Sequence, residues 1–242
     1  MKKNDLKTVV IIPAYNEAAS IAEVINHIPK PFRDHVIVSD NGSTDGTNQI
    51  AKNLGVHVTA ARQRGYGSAC LAGIAYAKQF HPDVYVFLDG DYSDYPEDMT
   101  EIVSVLVEKN LDLVIGSRML GQAEKGALLP QARFGNWLAT RLMYLRFGYR
   151  YSDLGPFRAI RASALEGLRM QDQNFGWTVE MQIKALRAGL KAGEVSVRYR
   201  KRIGISKITG TVRGTILAGL KILWTIGRYG ISKRGAAHEV PI

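Results

Sequence analysis

Two carboxylates spaced i, i+2 follow an apolar run in Val84-Tyr-Val-Phe-Leu-Asp89-Gly-Asp91. Alternate residues of an extended chain point to the same side, so Asp89 and Asp91 reach one point together, just past the end of a buried strand. In an open α/β sheet, that edge is where ligands bind. Two carboxylates converging there repel each other unless a cation or ligand donors lie between them. A hard divalent ion with oxygen ligands, shared with a phosphorylated substrate, meets that demand. An ordinary acidic turn gives the same local pattern, so the neighbouring segments must decide.

Those segments come from an alternation of strand and helix signals over the first 120 residues. Thr8–Ile12 is a continuous apolar run ended by Pro13, and Ile21, Val24, Ile25 and Ile28 then fall on one helical stripe. Further strands are predicted at Val36–Val38, Val56–Thr59, Val84–Leu88 and Leu111–Ile115, with one helix starting near Asp40–Gly46 and ending around Leu54, and others near residues 66–79 and 96–109. Pro96 opens the last of these helices, with Glu97 and Asp98 favourable in its first turn. Continuous apolar strands between amphipathic helices predict a mainly parallel sheet covered on both faces. Four polar segments, three of them bearing glycine, then follow strand ends on one edge: Tyr15–Glu17, Asp40–Gly46, Arg62–Gly67 and Asp89–Asp94. Later residues 133–149 and 177–188 read as helices, and Val195–Tyr199 alternates like a strand. No linker or repeat interrupts the chain, which reads as a single domain with an elaborated second half.

The charge distribution adds a partner class. The net charge is +10, yet thirteen Lys and Arg against one acid, Glu194, put +12 between Lys184 and Arg234, leaving −2 for the rest. A basic C-terminal third suits an anionic partner such as nucleic acid, an acidic membrane face or a phosphorylated substrate. Arg213, Lys221 and Arg228 cut the apolar stretch 214–227 into pieces too short to span a bilayer. That stretch reads as an amphipathic helix, either packed on the core or lying on a membrane surface. The division expected is 1–210 for the main domain and 211–242 for this helix and a basic tail. The single cysteine, Cys70, excludes an internal disulfide and fits a reducing compartment. Residues 1–20 lack the pattern of a signal peptide.

Taken in order, Val9-Val-Ile-Ile-Pro-Ala-Tyr-Asn-Glu17, Asp40-Asn-Gly-Ser-Thr-Asp-Gly46 and Asp89-Gly-Asp91 resemble the family 2 glycosyltransferases. That family has the α/β GT-A fold and uses nucleotide-sugar donors. Gly116-Ser-Arg118, Asp153-Leu-Gly-Pro-Phe-Arg158 and Arg202-Ile-Gly-Ile-Ser-Lys207 look most like the dolichyl-phosphate mannose synthase and bacterial polyprenyl-phosphate glycosyltransferase subgroup.

The resemblance implies an inverting enzyme that moves a hexose from a UDP- or GDP-sugar to polyprenyl phosphate. It implies Mg²⁺ or Mn²⁺ held by Asp89 and Asp91, neutralising the diphosphate as the sugar–phosphate bond breaks. Tyr15 would flank the base and Glu17 the ribose, with Pro13 shaping their loop; a carboxylate stabilising a helix N-terminus is the other reading of Glu17. Asp40 follows a strand and can reach a base or ribose edge, while Ser43, Thr44 and Asp45 look better placed to cap the next helix. Arg64 and Gly67 belong to a loop suited to close approach to phosphate or ribose. The third metal ligand is open, because the subgroup's Gln position is Ser93 here, followed by Asp94.

On the acceptor side, Arg118 is expected to meet a phosphate or the acceptor, and Asp153 and Arg158 match the acceptor motif. Arg158 either binds acceptor phosphate or pairs with Asp153. Arg202, Ser206 and Lys207 resemble a phosphate clamp that closes over the reactants to exclude water. Glu180 reads as a general base, a substrate ligand or the buried partner of an Arg. A sugar or lipid hydroxyl acceptor needs such a base, whereas a phosphate is already ionised. The basic third suggests a peripheral site on the cytoplasmic face of an anionic membrane. A basic nucleic-acid-binding domain is the rival from another class, but no recognition motif supports it.

Overall fold

The first apolar run forms β1 (Thr8–Ala14), every residue of which is buried. Its alternate side chains enter two separate cores, Val9 and Ile11 on one face of the sheet, Val10 and Ile12 on the other. β4 (Val84–Phe87) behaves in the same way, with Tyr85 and Phe87 facing one core and Val84 and Val86 the other. Burial on both faces is why these strands read as unbroken apolar runs. The computed structural model of the chain describes residues 6–204 and 212–230.

β2 (Val36–Asp40), β3 (His57–Ala60), β5 (Leu113–Ser117), β6 (Arg158–Arg161) and β7 (Ala192–Ser196) complete a seven-stranded sheet in the order β3-β2-β1-β4-β6-β5-β7. All neighbours are parallel except β6, which runs antiparallel to both β4 and β5. β1 lies between β2 and β4, pairing Ala14 with Asp40 on one side and Ile11 with Phe87 on the other. The chain ends of β1, β2 and β4 therefore open onto one crevice, at the point where the strand order reverses.

β6 has no strand signal, since Arg-Ala-Ile-Arg places a cation at each end. Tertiary pairing alone makes it a central strand. The strand expected at 195–199 pairs three residues earlier, with Leu113 opposite Ala192. The inward set Val195, Val197 and Tyr199 is nevertheless buried. The extended chain runs on past the ladder to bridge Asp94 and Ala123 at Tyr199.

The helices are α1 (Ile21–His27), α2 (Thr47–Asn53), α3 (Tyr66–Ala77), α4 (Met99–Glu108), α5 (Pro130–Phe147), α6 (Ala162–Leu168), α7 (Trp177–Arg187) and α8 (Val212–Gly230). A 3₁₀ turn at Pro96–Asp98 leads into α4. The helix expected near 214–227 is α8, which packs on α5 and α7 and buries Thr225 and Ile226. No helix among the described residues is long and apolar enough to cross a membrane. Ser206 and Lys207 lie outside the described residues.

Candidate active site

A cavity of about 330 Å³ opens where β1, β2 and β4 end. Pro13, Tyr15 and Glu17 line it from the first loop, and Asn41 from the second. Arg64, Gly65 and Tyr66 enter from the start of α3, Asp89 and Asp91 from the end of β4. Asn174, Phe175 and Arg202 close it from the second half of the chain.

The first two loops are stitched together. The Asn16 amide donates to Ser43 Oγ at 2.9 Å, and the Thr44 amide donates to Asn16 Oδ1 at 2.8 Å. The Glu17 amide donates to Thr47 Oγ1 at 2.9 Å. Asp40 is buried, and its carboxylate accepts from the amides of Gly42 and Ser43 and from Asn48 Nδ2. It thus holds its own turn, while Asp45 Oδ1 accepts from the Thr47 amide at 3.0 Å and caps the start of α2 as expected. Asp40 does not line the cavity. Asn41 lines it instead, its Oδ1 accepting from the Gly65 amide at 3.0 Å. Arg64 lies over the Tyr15 ring, 4.9 Å from its centroid.

Gly67 departs from its expected role. A Cβ there would stand 2.0 Å from the Asp172 carbonyl oxygen, and one at Gly65 would stand 2.0 Å from that of Gln173. The close approach these glycines permit is to the backbone of residues 172–173, which the Ser68 amide also binds at Gln173 O. This contact carries Asn174 and Phe175 to the cavity wall. Nothing in the polar stretch before α7 marks those two residues in advance.

At the centre, Tyr66 donates to Asp89 Oδ1 at 3.0 Å. Burial, and then the charge of Asp91, push the Asp89 carboxyl up to about 7. Asp91 is 5% exposed, and its Oδ1 accepts from the Ser93 amide at 3.0 Å and the Ser93 hydroxyl at 2.6 Å. Its Oδ2 faces Arg202 Nη1 at 2.7 Å. Ser93, expected as a metal ligand, spends its hydroxyl on orienting Asp91. Asp94 is 1% exposed with neither carboxylate oxygen hydrogen-bonded. Burial and the charge of Asp89 push it well above the usual carboxylate range.

Asp89 and Asp91 fit a divalent cation. Asp91 is buried and Asp89 partly buried, the two repel each other, and a guanidinium already stands against Asp91. Among the described residues no set of three His, Cys, Asp or Glu side chains converges as a metal cage. A carboxylate pair completed by water and substrate phosphate is the arrangement typical of Mg²⁺.

Deeper in, Arg118 forms a two-pronged pair with Asp153: Nε to Oδ2 and Nη2 to Oδ1, both at 2.8 Å. Burial opposes the Asp153 charge, but the Arg118 guanidinium outweighs it and holds the carboxyl below its usual value. The pairing considered between Asp153 and Arg158 is therefore not made. Arg158 is fully buried inside the sheet, donating to the backbone carbonyls of Thr178, Leu154 and Gly155. It does not line the cavity, because β6 places it beneath the loops.

Glu180 is also fully buried. It accepts from the Gln171 and Asp172 amides and from the Tyr229 hydroxyl at 2.8 Å, and pairs with Lys184 at 2.7 Å. Its cationic partner is a lysine rather than the expected arginine.

The chain is similar to known proteins in sequence and in fold. An uncharacterized glycosyltransferase of Mycobacterium tuberculosis is 33% identical over 211 residues, covering 86% of this chain and 93% of that protein. The undecaprenyl-phosphate mannosyltransferase of Micrococcus luteus is 26% identical over 241 residues, covering 95% and 96%. Among solved structures, glucosyl-3-phosphoglycerate synthase of M. tuberculosis, crystallised with Mn²⁺, UDP-glucose and phosphoglyceric acid, superposes with a TM-score of 0.76. At 23% identity, covering 96% of this chain and 82% of that one, it speaks for the shared fold alone. The sequence model described as Glycosyl transferase family 2 matches residues 9–169. The carboxylate pair and the cavity walls from Pro13 to Tyr66 lie within this matched region, which makes the chain a member of glycosyltransferase family 2.

Proposed function

We propose that the chain transfers a hexose from a UDP- or GDP-linked donor to a polyprenyl phosphate, with inversion at the anomeric carbon. The observation that carries this reading is the cavity at the strand ends, with Asp89 and Asp91 on its floor and Arg202 against Asp91. Pro13, Tyr15, Glu17, Asn41 and Arg64 form the nucleoside end. Asp89 and Asp91 would hold Mg²⁺ or Mn²⁺, and Arg202 would bind the diphosphate. The bound ion supplies Lewis-acid stabilisation of the leaving diphosphate. The acceptor oxygen forms its bond to C1 as the C1–O bond to the diphosphate breaks, and that electron pair leaves with the nucleotide. Arg202 offsets the charge that develops, while the cleft positions the two reactants.

The phosphate acceptor is supported by the state of Glu180, the carboxylate considered as a general base. Four partners and complete burial tie it to structure, so it is not free to take a proton from a hydroxyl. An acceptor that arrives ionised needs no such base. The likeness to the undecaprenyl-phosphate enzyme points the same way.

A membrane surface is supported by two helices. Phe134, Trp137 and Leu145 on α5, and Leu220 and Trp224 on α8, are all more than half exposed. Neither helix carries an acidic residue, and both carry cations. Apolar side chains among cations suit an anionic bilayer surface. In this reading residues 1–210 catalyse and residues 211–242 help dock the protein on the cytoplasmic leaflet.

A transfer assay tests the proposal. UDP-glucose and GDP-mannose are each offered with Mn²⁺ to polyprenyl phosphate or to the matching free polyprenol, and lipid-linked sugar is measured. Product from the phosphate alone supports the reading. Product from the alcohol alone overturns the acceptor, and nucleotide release that ignores EDTA overturns the metal role.

A further inference from the structure

A second cavity, of about 370 Å³, adjoins the first and shares Arg64 and Asn174 with it. Its far wall is one face of α8, where Lys221, Trp224 and Arg228 recur at helical spacing. Both cations lie by the same indole, Lys221 Nζ at 4.5 Å and Arg228 at 5.0 Å from the Trp224 ring centre. We propose that this cavity is a phosphate-monoester site, distinct from the cleft at Asp89 and Asp91.

The charges support that ligand class. Arg64, Lys221 and Arg228 contribute +3 and Asp172 −1, a surplus of +2. A phosphate monoester carries about −1.5 to −2 near neutral pH and accepts several charge-assisted hydrogen bonds. Asp172 does not cancel the site. Its Oδ1 accepts from the Asn174 and Gly176 amides, and its Oδ2 meets Lys221 Nζ at 2.9 Å. An ammonium has three donors, so Lys221 can hold Asp172 and a ligand together. Arg64 and Arg228 have no carboxylate partner among the described residues.

The wall is fixed before any ligand arrives. Tyr229 donates to buried Glu180 at 2.8 Å, and its carbonyl accepts from Arg187. At the other side, a Cβ on Gly176 would stand 2.7 Å from Thr225 Oγ1, so α8 and the loop before α7 are closely apposed. On α8, Trp224 lines the cavity and is 52% exposed, and Leu220, one turn earlier, is 60% exposed, which gives an apolar rim along that helix. A phosphate borne by a lipid would place its head among the cations and its first carbons against this rim. The shared residues Arg64 and Asn174 would then let an occupant influence the donor cleft.

The test uses the full chain in EDTA, without nucleotide. Inorganic phosphate, dihexanoyl phosphatidic acid and dihexanoyl phosphatidylcholine are each titrated by calorimetry. The site predicts one-to-one binding that K221Q/R228Q weakens by about tenfold or more, while Arg202→Ala changes it less than about twofold. A thermal-unfolding midpoint matching the parent confirms that the double variant is folded, and Arg64→Gln provides an independent second variant. Phosphatidic acid binding more tightly than inorganic phosphate identifies a lipid headgroup, and equal affinities identify free phosphate. Either result supports the site. Equal binding of phosphatidylcholine, binding lost with Arg202→Ala but not with the double variant, or no binding at millimolar concentration overturns it. The measurement needs no metal, donor or transfer, so its failure is separable from failure of the proposed reaction.

Discussion

Arg202 Nη1 stands 2.7 Å from Asp91 Oδ2, so a guanidinium neutralises a carboxylate that would hold a metal ion. The other oxygen is tied to Ser93. Asp91 is thus oriented by its own loop and neutralised from across the cleft. The same arginine would be free to pair with a diphosphate if a cation took its place at Asp91.

Asp91→Ala should therefore lower metal-dependent transfer by about two to three orders of magnitude. Release of UDP or GDP under saturating donor is the measurement. Unchanged turnover would remove Asp91 from the site.

Arg202→Ala separates the two roles of the arginine. Turnover should fall by about two orders of magnitude, because a charge on the leaving diphosphate goes unmet. Mn²⁺ binding without donor should instead tighten by about two- to fivefold, since a partly buried ion pair no longer competes. Titration of free Mn²⁺ by its paramagnetic signal reads the second effect. Weaker metal binding would contradict the exchange.

The elevated Asp89 value gives a signed pH dependence. Its carboxyl titrates near 7 in the folded chain, against about 3.9 for an unfolded aspartate. The folded state holds the extra proton between those values. This group's contribution to stability is full below the lower value and is lost as pH rises through the upper one. Metal binding must displace the same proton, so apparent Mn²⁺ affinity should fall about tenfold per pH unit below about 7. A flat affinity between pH 5 and pH 7, roughly the span where the proton competes, would falsify this assignment.

Asp153→Ala leaves Arg118 largely buried without its anion. The side chains are 0% and 17% exposed respectively, so the loss of stability should reach about 3–5 kcal/mol, as for a broken buried pair. Urea unfolding measures it. A loss below about 1 kcal/mol would class the pair with exposed ones.

Gly67→Ala should destabilise the protein by about 2 kcal/mol or more, because the new methyl meets the Asp172 carbonyl at 2.0 Å. Gly135→Ala is the control: nothing lies within 4 Å of a Cβ there, and the same change within a helix should be neutral or stabilise by up to about 1 kcal/mol. Donor affinity should fall in the first variant alone, since only that shift moves Asn174 and Phe175. Thermal unfolding and nucleotide titration read both effects.

The unbroken apolar runs of β1 and β4 determined a two-sided parallel sheet, because every side chain on both faces had to be apolar. The spacing of Asp89 and Asp91 determined that they share one side of the chain at a strand end. Local rules reach that far, since backbone period and strand polarity depend on nearby residues.

The tertiary structure decided what each polar residue does with its neighbours. Asp153 takes Arg118, 35 residues away, instead of the nearby Arg158. Glu180 is held by Tyr229, 49 residues away, and Gly67 exists for a carbonyl in a different loop. A buried charge is satisfied by whichever partner folding brings within hydrogen-bond reach, and sequence distance does not rank those partners. For the same reason Arg158, the last residue of the Asp153–Arg158 motif, became the first residue of a central strand rather than a ligand at the cleft.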